Sequence, residues 1–241
     1  MKQRFVRAIR FSKPSETGAY FSKIPAIEAL ICAEELEFSS PVTFFCGENG
    51  SGKSTLLEAI AVCAGFNAEG GSRNFCFSTR PSHSDLYRNL TLVRDAYPKD
   101  GFFLRAESVY NVSTNLEQNG GNLLSAYGGK NLHEMSHGES FLSIVLNRFG
   151  GEGLYLLDEP EAALSVQNQL TLLSAMRDLV ERGSQFLICT HSPVLLGYPD
   201  AAILEFSESG VRSIKYRESA PYQLTKAFLD APERFLHHLM D

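Results

Sequence analysis

One eight-residue stretch constrains the fold of this chain more than any other feature, Gly47-Glu-Asn-Gly-Ser-Gly-Lys-Ser54. It fits the pattern G-x-x-x-x-G-K-[ST], whose glycines let the backbone curl until successive N–H groups face an anion. Lys53 supplies a positive charge for phosphate groups, and Ser54 offers its hydroxyl to Mg²⁺. Because such a loop joins a strand to a helix, it predicts an α/β fold. The candidate nucleotide-binding residues are Gly47, Glu48, Asn49, Gly50, Ser51, Gly52, Lys53, Ser54 and Thr55.

The segments on either side of this loop have the expected strand and helix character. Residues 42–46 form a short apolar run of β type, and residues 55–64 read as a helix. Further on, two continuous apolar strands at 154–157 and 186–189 enclose a long helical stretch at 166–182. Strands that alternate with helices predict a largely parallel sheet flanked by helices.

The remaining segments complete this picture of a single domain over residues 1–241. Residues 5–11 alternate like a strand and predict an antiparallel β portion at the N-terminus. Residues 66–135 contain polar, glycine-rich and proline-containing stretches and are interpreted as a variable, helical or irregular insert. Residues 201–216 predict a hairpin, and residues 225–240 a final helix packed against the domain.

Composition limits the classes of protein to which the chain can belong. The net charge is −6 and the pI about 5.6, so no overall basic field attracts nucleic acid. Five scattered cysteines without a C-x-x-C pair argue against a disulfide framework and for a reducing compartment. The N-terminus lacks the apolar segment of a signal peptide, and no apolar run approaches the roughly 20 residues of a membrane span. We therefore expect a soluble, cytoplasmic protein.

A second group of polar residues follows the two apolar strands. Asp158 and Glu159 come directly after the strand at 154–157, and His191 follows the strand at 186–189. The carboxyl ends of parallel strands meet at the edge where open α/β sheets bind ligands. We assign Asp158 to Mg²⁺ and Glu159 to the attacking water, and the parallel strands bring His191 to the same edge. The alternative is an ordinary acidic strand end with a structural histidine.

The stretch His-Glu-Met-Ser-His-Gly-Glu, which begins at His133, supports two incompatible interpretations. His133 and His137 fit H-E-x-x-H, in which two imidazoles one helical turn apart hold zinc, with Glu159 as a conceivable third ligand. Ser136 and Glu139 instead fit a capping box, which begins a helix and points N–H groups at an anion. The zinc interpretation leaves the phosphate loop unexplained, so it is a remote alternative.

Taken in order, these elements resemble the nucleotide-binding domain of the ABC-type ATPase superfamily. The matching segments are 47–55 (Walker A), 135–139 (signature motif), 154–159 (Walker B with the catalytic glutamate), 162–165 (D-loop) and His191 (switch histidine). The resemblance covers roughly residues 5–192, and it implies ATP and Mg as ligands.

In this family the signature motif of one copy binds the γ-phosphate that the Walker A loop of the other copy holds. The resemblance therefore implies ATP hydrolysis at the interface of a head-to-tail homodimer. The residues that would act in trans are Ser136, His137, Gly138 and Glu139.

The chain departs from the family pattern at three places. The Q-loop glutamine is replaced by Arg-Ala-Glu-Ser at 105–108, where Glu107 is the candidate metal-coupled sensor. No aromatic residue clearly marks the adenine position, for which Tyr20 and Phe21 are candidates by location. The D-loop ends in Ser165, where an aspartate is usual.

The branch of the family that the chain resembles is chosen from residue 139 and from the distance between the Walker A and signature motifs. Glu139 in place of glutamine resembles the SMC and RecF-like branch more than transporters. The 81 residues between Ser54 and Ser136, positions 55 to 135, are too few for the SMC coiled coil and carry no heptads. We therefore expect a compact, standalone ATPase that serves a nucleic-acid transaction or an effector protein. The alternatives are the ATP-binding subunit of an ABC transporter, which needs a membrane partner, and the remote zinc hydrolase.

Overall fold

A computed structural model describes residues 4–13, 20–72, 84–106 and 135–240 of the chain. These ranges contain two β-sheets and six α-helices. The strands are β1 (Ala8–Phe11), β2 (Glu35–Glu37), β3 (Val42–Gly47), β4 (Leu90–Val93), β5 (Asp100–Arg105), β6 (Gly153–Asp158), β7 (Gln185–Cys189), β8 (Ala202–Ser207) and β9 (Gly210–Ile214). The helices are α1 (Pro25–Ala33), α2 (Lys53–Cys63), α3 (His137–Arg148), α4 (Val166–Glu181), α5 (Ala220–Asp230) and α6 (Pro232–Met240).

The larger sheet has the strand order β5-β6-β7-β3-β8-β9. Its first five strands are parallel, and β9 returns antiparallel to β8. The register sets Asp158 beside Arg105 on one neighbouring strand and beside Cys189 on the other. The carboxyl ends of β5, β6, β7 and β3 therefore meet at one edge, as the sequence predicts.

Both faces of this sheet are covered, which explains why its strands read as continuous apolar runs. All six residues of β6 are buried. One face packs on α1 and α2 and on the smaller sheet, and the other packs on α3 and α4. The core thus holds the strand ends rigidly and leaves their polar terminal residues at the edge.

The smaller sheet is antiparallel, with the order β2-β1-β4. The predicted α/β class, with an antiparallel N-terminal portion, is therefore confirmed. The described parts of the predicted insert supply β4 to this sheet and β5 to the larger one. Residues 73–83 and 107–134 lie outside the described ranges.

The C-terminal segment corrects the prediction of one packed final helix. It forms two helices, α5 and α6, because Pro232 has no backbone N–H to continue a helix and restricts the residue before it. Helix α5 buries none of its residues, and Leu224 and Leu229 are exposed. Within the described residues, none of the helices has the length and apolar character needed to cross a membrane.

Candidate functional site

The phosphate loop connects β3 to α2 with a backbone that requires glycine. Gly47 and Gly52 have φ angles of +133° and +99°, a region that L side chains rarely adopt. A Cβ atom on Gly47 would lie 2.2 Å from the carbonyl oxygen of Phe206, and one on Gly52 would lie 2.9 Å from Cγ2 of Ile24. The tight packing of the loop on β8 and on the start of α1 therefore excludes larger residues.

The loop offers positive charge at the start of α2. Gly52 is the N-cap, and no side chain caps the backbone N–H groups of the first turn. The ammonium of Lys53 is buried and donates to the carbonyl oxygens of Gly47 (2.9 Å) and Glu48 (2.7 Å). Burial lowers the pKa of Lys53, against the raising effect of nearby Glu159 and Asp158. A phosphate between the helix start and this ammonium would relieve the desolvation of that charge.

The two predicted Mg²⁺ ligands lie together. The hydroxyl of Ser54 donates to Oδ1 of Asp158 over 2.8 Å, although 103 residues separate them, positions 55 to 157. Burial raises the pKa of Asp158, while Arg105 and the Ser54 hydrogen bond lower it.

These residues fit Mg²⁺. One carboxylate and one hydroxyl are the oxygen donors that Mg²⁺ takes from proteins when phosphates and water supply the rest. Among the described residues, no three His, Cys, Asp or Glu side chains form a complete protein metal cage.

Glu159 and His191 face each other at the same edge. Glu159 has φ +49°, a left-handed conformation that is uncommon for a residue with a side chain and that concentrates at functional sites. Its N–H donates to the carbonyl of Cys189 over 3.0 Å. Nε2 of His191 lies 3.9 Å from Oε1 of Glu159 and has no hydrogen-bond partner. The His191 backbone N–H is anchored by Oε1 of Glu161 at 2.5 Å.

Arg105 belongs to this edge and was missed as a functional residue. Its guanidinium lies between Oδ2 of Asp158 (Nε, 3.3 Å) and Oε2 of Glu58 (Nη1, 3.1 Å). The same cavity, of about 320 Å³, is lined by Ser54, Arg105, Asp158 and Glu159 among others. The available signal was position, because Arg105 ends an apolar strand just as Asp158 does.

The signature segment begins a helix as the capping-box interpretation predicts. Ser136 is the N-cap of α3, with the extended angles φ −63° and ψ 155°. Its hydroxyl accepts from the Glu139 N–H at 3.4 Å, and Oε2 of Glu139 accepts from the Ser136 N–H at 2.9 Å. Ser136 is extended, so the helix that the zinc interpretation needs through this position is interrupted there. His133 itself lies outside the described residues.

Gly138 and Ser165 have structural roles as well. A Cβ on Gly138 would lie 2.7 Å from the carbonyl oxygen of Ala163, so the signature helix packs directly on the D-loop of the same chain. Ser165, where an aspartate is usual, is the N-cap of α4 and accepts from the Asn168 N–H at 3.3 Å. Serine and aspartate cap helices about equally well, so Ser165 meets the same local requirement as the aspartate that the resemblance led us to expect.

Two other predicted positions have different outcomes. Phe21 is buried in the core and cannot stack on a base, which corrects that candidate for the adenine contact. Tyr20 is 77% exposed. Glu107, the predicted metal-coupled sensor, lies outside the described residues.

Comparisons with known proteins bear on the fold of the chain. A family model described as an AAA domain matches residues 29–132, which is less than half of the chain. The solved structure of CbiO1 from Clostridium perfringens covers 98% of this chain and 100% of its own, at 17% identity and a TM-score of 0.51. The SMC head domain from Thermotoga maritima covers 89% of this chain and 99% of its own, at 13% identity and a TM-score of 0.44. A search of curated proteins finds no match.

Proposed function

We propose that this chain, which has the fold of ABC-type ATPase domains, hydrolyses ATP with Mg²⁺ at the interface of a head-to-tail homodimer. The observation that carries this proposal is the hydrogen bond between Ser54 and Asp158. It joins the end of the phosphate loop to the end of a buried strand, and it sets the two predicted Mg²⁺ ligands side by side.

The residues at this edge divide the work of hydrolysis. The N–H groups at the start of α2 and the Lys53 ammonium bind the phosphates. Ser54 and Asp158 would hold Mg²⁺, which neutralises charge on the phosphate oxygens when it is bound. Glu159 accepts a proton from the attacking water, and His191, 3.9 Å from that carboxylate, keeps it oriented.

In the proposed dimer, each copy supplies the start of its helix α3 to the phosphate loop of the other copy. Ser136, His137 and Glu139 are exposed at the start of α3, while Gly138 is buried against the D-loop. An exposed helix start with a serine N-cap is a surface on which a phosphate can bind. We propose that this tip contacts the γ-phosphate bound to the second copy.

The proposal is tested with Glu159→Gln, which retains the shape of the side chain and loses the base. We expect this variant to bind ATP with Mg²⁺, to hydrolyse it at least about 100-fold more slowly, and to elute as a dimer. Light scattering after size exclusion, with and without ATP, measures the mass.

Glu152 provides a matched control, because it lies at the opposite end of β6 and also has a positive φ, +56°. Glu152→Gln should hydrolyse ATP normally and form no stable dimer. A Glu159→Gln protein that binds ATP yet stays monomeric would refute the shared site.

We further propose that the ATP-bound dimer serves a nucleic acid or a soluble effector protein. CbiO1, described as part of an ABC transporter complex, resembles this chain in fold alone. A gel-shift assay of duplex DNA with Glu159→Gln, with and without ATP, distinguishes a nucleic-acid partner from a protein partner. A shift that depends on ATP supports the nucleic acid, and its absence leaves the effector protein.

A further inference from the structure

Arg105 occupies the place next to the predicted Mg²⁺ ligands. Both oxygens of Asp158 are engaged, since Oδ1 accepts from Ser54 and Oδ2 pairs with the Arg105 guanidinium. Glu58 holds the other side of the guanidinium from α2, and its second oxygen accepts from the Ser84 N–H at 3.2 Å. Arg105 is thus fixed between two carboxylates that are themselves largely buried.

The charges around this cavity show what the guanidinium does. Asp158, Glu159 and Glu58 bring negative charge to the edge, while Lys53 is turned toward the carbonyls of the phosphate loop. The Arg105 guanidinium offsets part of this negative charge, and it does so directly at Oδ2 of Asp158. A divalent ion at Asp158 would lie within a few ångströms of the guanidinium and be repelled by it, because charges near a protein surface are only partly screened.

We propose that Arg105 acts as a built-in cation that keeps Mg²⁺ from Asp158 until ATP is bound. The triphosphate adds enough negative charge for guanidinium and metal to coexist, so metal binding becomes dependent on nucleotide. This inference rests on the proposed role of Asp158 in metal binding, and it gives the order in which the ligands enter. Free Mg²⁺ then cannot occupy the empty site.

The experiment measures Mn²⁺, as a paramagnetic substitute for Mg²⁺, by electron paramagnetic resonance with nucleotide-free protein. Wild-type protein should bind Mn²⁺ at this edge about tenfold or more weakly than Arg105→Gln, which removes the positive charge and leaves a shorter, polar side chain. Arg105→Lys should restore the exclusion. Adding Asp158→Asn to Arg105→Gln should abolish the gained site, which locates it.

Arg148→Gln is the matched control. Arg148 forms a comparable half-buried pair with Asp100, at 2.8 Å, with 26% of its side chain exposed against 21% for Arg105. Asp100 lies at the opposite end of β5, so losing this arginine should create no Mn²⁺ site. Gain of Mn²⁺ binding in both variants would overturn the proposal.

If Arg105→Gln does not fold, Mn²⁺ binding to the wild-type protein with and without nucleotide still tests the proposal. Mn²⁺ binding should appear with a non-hydrolysable ATP analogue and depend on Asp158. Equal affinity without nucleotide, lost in Asp158→Asn, would overturn the role of Arg105. No Asp158-dependent Mn²⁺ binding in either state would instead refute the metal site in the proposed function.

Discussion

Two regions are built in different ways: the strand edge at Ser54, Arg105 and Asp158, here called the metal edge for its proposed ligand, and the start of α3 at residues 136–139, here called the signature tip for its proposed role. At the edge, Ser54, Arg105 and Asp158 come from three elements and contact one another across the sheet. At the tip, Ser136 and Glu139 are exposed and cap each other within one turn of helix. The edge is therefore assembled by the tertiary fold, whereas the geometry of the tip is encoded in four consecutive residues.

This contrast separates the effects expected of substitutions. A change at the edge alters ligand binding in a single copy, because its partners are already in place. A change at the tip should leave ATP binding to one copy intact and act on hydrolysis, since the tip is proposed to work on the second copy.

The largest effect on nucleotide binding is expected for Lys53→Ala. It removes the buried ammonium of the phosphate loop. Because a hydrogen bond from a charged group to phosphate contributes roughly 1.5–3 kcal/mol, ATP affinity should fall about 100-fold. Titration with a fluorescent ATP analogue measures the affinity. Lys99→Ala is the control, because Lys99 is exposed and pairs with Glu152 away from the site. Undiminished ATP affinity in Lys53→Ala would contradict the phosphate-loop assignment.

Substitution of Ser136 tests the tip. Ser136→Asp keeps a good N-cap but sets a negative charge where the phosphate would bind, so hydrolysis should fall about 100-fold. The Ser136 hydroxyl also donates to Oε2 of Glu139 at 2.7 Å, and an aspartate would repel that carboxylate instead, so the melting temperature should fall by a few degrees. ATP affinity of the single copy should be unchanged. Steady-state phosphate release measures the effect. A Ser136→Asp protein with normal turnover would mean that the tip does not meet a phosphate.

Gly138→Ala probes the contact between the tip and its own D-loop. Alanine favours a helix over glycine by roughly 1 kcal/mol, yet its Cβ would lie 2.7 Å from the Ala163 carbonyl oxygen. We expect the clash to dominate and unfolding to become easier by about 1–3 kcal/mol. Urea denaturation measures the change, with exposed His137→Ala as the neighbouring control. A stabilised Gly138→Ala would show that the tip and the D-loop separate easily.

Sequence patterns predicted the sheet and its edge because the signals are local. The apolar runs at 154–157 and 186–189 fix buried strands, and the polar residue that ends each one falls at the shared edge. The capping box at Ser136 and Glu139 was equally readable, since both hydrogen bonds lie within one turn.

Contacts between residues that are distant in the sequence were not predicted. The pairing of Arg105 with Asp158 depends on β5 lying beside β6, an order that no local pattern encodes. Phe21 was a candidate for base contact by position alone, and packing buries it in the core. Pro232 did carry a local signal, and the apolar periodicity of the C-terminus concealed the break it causes.

The smallest effect is expected at Ser165, the N-cap of α4 at the end of the D-loop. Ser165→Ala removes the acceptor for the Asn168 N–H and should destabilise the fold by about 1 kcal/mol. Ser165→Asp, which introduces the residue expected from the resemblance to ABC-type domains, should keep full stability because aspartate caps as well as serine does. Urea denaturation of the two variants compares them directly. If both variants lose stability equally, the serine has a role that capping does not explain, and the D-loop would join the metal edge as a part built by tertiary contacts.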